Sequence, residues 1–200
     1  MVVSSVKELE MKKILCILLL LLTGCSSKTS MIEIQKHVYV EKEFKDSWLE
    51  TNEFGDSYIK EELQGGYHYH FDQQFLEIFF NTGGKIELYN YSIKKNDLII
   101  SGEMIPPKTI RLVHPHLDNV TSEGVIIHEL GHYFDEKHQF SSSKQFTKLY
   151  KKYRTLFNQK TKKEYFAECF KEYVGGHQEK VKPFHSYMKT ITQKIRQKNK

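Results

Sequence analysis

Residues 123–135 read Glu-Gly-Val-Ile-Ile-His-Glu-Leu-Gly-His-Tyr-Phe-Asp, and they decide how the rest of the chain is understood. The segment His128-Glu129-Leu130-Gly131-His132 has the form H-E-x-x-H. With about 3.6 residues per helical turn, side chains four apart stack on one face. His128 and His132 can therefore grip one Zn2+, and Glu129 lies beside them, close enough to act as general base on a water at that metal. Val125, Ile126, Leu130 and Phe134 give the same helix a face to bury. Thr121 or Ser122 stands where an N-cap is expected for a helix starting near 123.

A catalytic zinc takes three protein ligands and leaves one position open. The third donor is expected in Lys163-Glu164-Tyr165-Phe166-Ala167-Glu168-Cys169-Phe170. Glu164 and Glu168 share a helix face at the edge of an aromatic stripe, and two carboxylates there are costly without a cation to neutralise them. Glu164 is read as the metal ligand and Glu168 as acceptor of a ring N–H from a ligand histidine. Asp135, three residues after His132, is a further candidate acceptor. The plainer alternative for Glu168 and Asp135 is an ordinary helix-surface carboxylate.

Outward from these segments the pattern is mixed. Residues 67–82 space their aromatics for a helix. Residues 85–91, 97–102 and 109–113 alternate as strands, separated by Asn96-Asp97 and Pro106-Pro107 turns. Residues 142–157, 162–174 and about 183–197 read as helices. In 31–66 we expect one short strand or helix, then an amphipathic helix near 41–52. The fold class is α+β: a small mixed or antiparallel sheet packed on the metal-binding helices, with a helical C-terminal part. Residues 108–113 are expected to form the sheet's edge and to pair with an extended peptide by strand addition.

His-Glu-Leu-Gly-His-Tyr-Phe-Asp, followed about thirty residues later by Glu-Tyr-Phe-Ala-Glu-Cys-Phe, resembles the catalytic domain of anthrax lethal factor and the secreted Pro-Pro endopeptidases. Val181-Lys182-Pro183-Phe184-His185-Ser186-Tyr187 resembles that family's final helix. The likeness spans roughly 70–200. It implies a zinc metalloendopeptidase with ligands His128, His132 and Glu164 and with Glu129 as general base. The chain departs from the family at one place: a catalytic tyrosine is expected seven residues before the ligand glutamate, and Phe157 stands there. Tyr153 is the candidate replacement, ahead of Tyr150.

The N-terminus carries a different signal. Lys12 and Lys13 precede the apolar run 14–22, which is too short to cross a bilayer and fits a signal peptide. It ends in Leu22-Thr23-Gly24-Cys25, which resembles a bacterial lipobox. That resemblance implies lipidation of Cys25, cleavage after Gly24, and a protein held on the outer face of the cell membrane, or shed or secreted from it. The expected organisation is 1–10 as a mis-assigned start (Met11 being the true one), 11–24 signal, 25–30 tether, 31–66 accessory segment and 67–200 zinc metallopeptidase domain. With Cys16 removed and Cys25 lipidated, Cys169 alone remains, which excludes an internal disulfide.

The net charge is +5, mostly lysine thickening toward the C-terminus. No basic stripe with stacking aromatics points to nucleic acid. The expected partners are a protein or peptide substrate and the membrane. Two other readings stand: a catalytically weak or inactive lipoprotein that keeps the metallopeptidase fold as a binding module, and a metal-free structural or immunity-type envelope protein.

Overall fold

A computed structural model describes residues 30–51, 57–95, 98–114, 123–159 and 161–199. The expected start region, signal, lipidated Cys25 and most of the tether lie outside the described residues. Met31–Lys200 is one compact unit.

Its strands are β1 (Met31–Gln35), β2 (Val38–Glu41), β3 (Lys85–Tyr89), β4 (Ile93–Lys95), β5 (Leu98–Ile100), β6 (Gly102–Ile105) and β7 (Thr109–Val113). Its helices are α1 (Lys45–Leu49), α2 (Tyr58–Gln64), α3 (Gln74–Asn81), α4 (Val125–His138), α5 (Lys144–Tyr153), α6 (Lys162–Val174) and α7 (His185–Lys198). A 3-10 turn at Gln178–Phe184 carries Pro183 into α7. The fold is α+β, with a mixed five-stranded sheet, a separate β4–β5 hairpin and a helical C-terminal part.

The sheet order is β1-β2-β3-β7-β6. Pairs β1–β2 and β6–β7 are antiparallel, whereas β2–β3 and β3–β7 are parallel. Alternation explains which face is covered. Ile86, Leu88, Ile110 and Leu112 are all fully buried. Their neighbours on the opposite face form a polar ladder, with Glu87 bonded to Lys85, Tyr89 and Arg111.

Two expectations are corrected here. The strand at 109–113 is not the edge: it lies between β3 and β6, and the edge is β6. Residues 31–41, read as one strand or helix, are a hairpin whose second strand pairs with β3 in register Val38↔Ile86. Single-strand periodicity cannot reveal such long-range neighbours.

The helix expected over 67–82 begins only at Gln74. Residues 67–73 are instead a loop tied down from elsewhere: the His70 N–H donates to Gly175 O (2.8 Å) and the Tyr69 hydroxyl to Glu172 (3.1 Å). Phe71 reaches the core from that loop, which is why the aromatic spacing imitated a helix.

The helical part centres on α4 against α6. Ile126, Ile127, Leu130 and Phe134 from α4 meet Phe166, Ala167 and Phe170 from α6, all fully buried. Gly131 lets the two approach: a Cβ there would sit 2.9 Å from Ala167 Cα. α4 begins one or two residues later than expected, with Gly124 at its N-cap (φ 72°) and no side chain capping it. Thr121 and Ser122 lie outside the described residues. Among the described residues, no helix is long and apolar enough to cross a membrane.

Candidate metal centre

α4 presents His128 and His132 on one face, with ring centroids 4.8 Å apart. α6 begins opposite them. The Thr161 hydroxyl accepts the Glu164 N–H (3.2 Å), capping the helix. The spacing Thr161-x-x-Glu164 is that of a capping box, yet the Glu164 side chain turns to the histidines. Its Oε2 lies 3.3 Å from His128 Nε2 and 3.2 Å from His132 Nε2. One donor atom from each of the three residues lies within 4.8 Å of the others, so this group could hold a metal ion.

The donor chemistry fits zinc: two imidazole nitrogens and one carboxylate oxygen, opening on solvent-accessible space. On the far side of the His128 ring, Nδ1 lies 3.2 Å from Glu168 Oε2. That contact fixes which nitrogen carries the proton and leaves Nε2 toward the shared centre. Glu168 is held in turn by Lys171 Nζ at 2.6 Å. Lys171 was not singled out in the sequence. The signal was available in the i, i+4, i+7 spacing of Glu164, Glu168 and Lys171, which puts all three on one helix face.

The electrostatics follow from this crowding. Burial works against charging His128, but contacts with Glu164 and Glu168 outweigh it and raise its pKa to about 9 in the metal-free protein. A metal held through Nε2 would displace that proton, so its uptake near neutral pH would be proton-coupled. The two histidines hold the Glu164 carboxyl well below the usual carboxylate range. Burial raises Glu129, opposed by His128 and His132. Glu129 is therefore a buried, more basic carboxylate beside the metal-donor group.

Glu129 also faces the sheet, where the backbone of Met104 on β6 favours its charged form. The Ser101 carbonyl accepts from Val113 N–H (2.8 Å). By the alternation of antiparallel pairing, Gly102 and Met104 then turn their backbone groups to the open edge. The metal-donor group and the free strand thus share one cleft of about 840 Å³, lined by 99–104 on one side and by His128, His132, Glu164 and Lys171 on the other.

No protein-family model matches the chain, and no curated protein matches it. Among solved structures it is similar to the Pro-Pro endopeptidase (PPEP-2) from Paenibacillus alvei. Identity is 15%, with 60% of this chain and 84% of that chain covered and a TM-score of 0.48.

Other expected residues take different roles, although Asp135 lines the same cleft. Asp135 is buried with both carboxylate oxygens on Ser141, taking its N–H (2.7 Å) and its hydroxyl (2.6 Å). It fastens the turn after α4 and is not a histidine acceptor. Tyr153 ends α5, packs its ring on Phe184 (6.1 Å) and gives its carbonyl to the Tyr165 hydroxyl. It does not line the cleft, and among the described residues no tyrosine does. Phe157 packs on Tyr165 with centroids 5.3 Å apart. Cys169 is fully buried, and burial raises its thiol pKa. His114 is buried against Trp48 with Nε2 at 3.1 Å from Ser47 O.

Proposed function

We propose that the chain is a zinc-dependent endopeptidase that cleaves an extended peptide lying along β6. The observation that carries the reading is the convergence of His128, His132 and Glu164 within 4.8 Å, with buried Glu129 lining the same cleft as the strand edge. When bound, zinc supplies Lewis acidity and lowers the pKa of water. His128, His132 and Glu164 would hold it. Glu168 orients the His128 ring, and Lys171 holds Glu168. Glu129 takes a proton from the attacking water and returns it to the leaving amine. The open backbone groups of Gly102 and Met104 align the peptide by strand addition.

The lipobox-like Leu22-Thr23-Gly24-Cys25 supports a position at the outer face of a bacterial membrane, with lipid on Cys25. A second reading, a metal-holding binding module with little or no turnover, is favoured by one observation: Phe157 occupies the expected tyrosine position and packs on Tyr165.

Metal analysis of the purified chain and digestion of a peptide library with and without chelator separate these readings. Chelator-sensitive cleavage supports the peptidase, whereas one zinc per chain without cleavage supports the module. Glu129→Ala is expected to retain zinc and lose about 10²- to 10⁴-fold in turnover. Cleavage by that variant at the unmodified rate refutes the mechanism.

A further inference from the structure

Charge is distributed very unevenly along this chain. From Gln139 to Lys163 there is no aspartate or glutamate, but there are eight lysines and arginines. α5 displays the densest part. Lys144, Lys148, Lys151 and Lys152 are all exposed, at spacings that place them on one side of the helix. The opposite side packs inward through Phe146, which is fully buried.

Among the described residues these four lysines and the following Arg154 have no ion-pair partner. Some lysines elsewhere on the molecule are paired, as in Lys85–Glu87 and Lys171–Glu168. Leu156 projects from the same segment at 43% exposure, one of few large apolar side chains left in water. A cationic helix face followed by an exposed aliphatic residue matches an anionic lipid surface, which offers negative headgroups with apolar material just beneath. A nucleic-acid site would instead want stacking aromatics. The aromatics of α5 are turned toward the core: Tyr150 against Tyr165 and Tyr153 against Phe184.

We propose that the outer face of α5, continued through Arg154 and Leu156, docks on the anionic phospholipid headgroups of the bilayer. This rests on the Cys25 anchor for proximity. Because an anchor already holds the chain at the surface, the basic face need not supply affinity. It selects an orientation, since each lysine favours the anionic surface by roughly five-fold. α5 leads into Thr161 and Glu164, so this docking also fixes how the cleft is presented above the membrane.

The test uses the lipidated chain on phosphatidylglycerol-containing vesicles and on phosphatidylcholine-only vesicles. Hydrogen exchange of the α5 amides and zinc content are measured on each. On the anionic vesicles exchange at 144–156 is expected to slow by about ten-fold or more, and added salt is expected to abolish the effect. The quadruple variant K144E/K148E/K151E/K152E should lose the protection while keeping its zinc, which shows that it is folded. Leu156→Ser should lose part of it. Equal protection on both vesicle types, or retained protection in the quadruple variant, overturns the proposal. So does protection by a DNA duplex at the same salt dependence. A chain that leaves neutral vesicles but sediments with anionic ones refutes the Cys25 anchor and keeps the docking face.

Discussion

The two walls of the cleft are built differently. One wall is the α4–α6 pair, closed by fully buried aromatic and aliphatic side chains and by the Gly131–Ala167 contact. The other is β6, a four-residue edge strand whose residues are all half-buried and which is bonded to β7 on one side only. The helical wall carries all three candidate metal donors, and Glu168 with Lys171 holds the His128 ring from behind. The strand wall contributes backbone, with Met104 beside Glu129 in the cleft. The proposed function therefore assigns metal binding to the rigid wall and peptide alignment to the thin one.

The severest way to break this division is Gly131→Val. A Cβ at 131 meets backbone, Ala167 Cα at 2.9 Å and Ala167 O at 3.2 Å, so α6 must move as a whole. Overpacking of this kind costs about 1–3 kcal/mol. Because Glu164 rides on α6, metal content should fall together with Tm. A variant that keeps full zinc and an unchanged Tm would mean that the helix contact does not set the donor geometry.

A smaller effect is expected from Glu168→Gln. It leaves the helix contact and the three donors intact, but removes the carboxylate between His128 Nδ1 and Lys171 Nζ. Loss of such an outer partner typically weakens metal affinity by about 10- to 100-fold. Competition titration against a zinc chelator reads this directly. Unchanged affinity would reduce Glu168 to a surface ion pair with Lys171.

The contrast between the walls also explains what could be read in advance. His128, His132, Glu164 and Glu168 come together through 3.6-residue periodicity on two helices, a short-range pattern visible in a single sequence. The limits of α6 matched the expected 162–174 for the same reason, since Thr161 and Gly175 mark its ends. The edge differs from the expectation because β6, Gly-Glu-Met-Ile, has no apolar alternation to mark it as a strand, and only pairing order separates an interior strand from an edge. Asp135 was misjudged because its partner, Ser141, lies in a turn with no periodic signal. Tyr153 was misjudged because a sequence offset cannot show which way the end of α5 faces.

The mildest prediction acts on the thin wall alone. Met104→Pro removes one N–H at a position that faces the open edge. Proline is tolerated there because no ladder bond depends on that group, and Glu103 before it already has the extended backbone that proline demands. The metal donors are untouched, so zinc affinity and Tm should stay close to their starting values. The proposed peptide, however, loses the Met104 N–H as a strand partner beside Glu129. One such bond is worth about 1.5 kcal/mol, which corresponds to roughly a ten-fold loss in kcat/KM if alignment of Glu129 with the peptide matters. If zinc affinity falls instead, the two walls are not independent, and β6 helps to shape the donor group it faces.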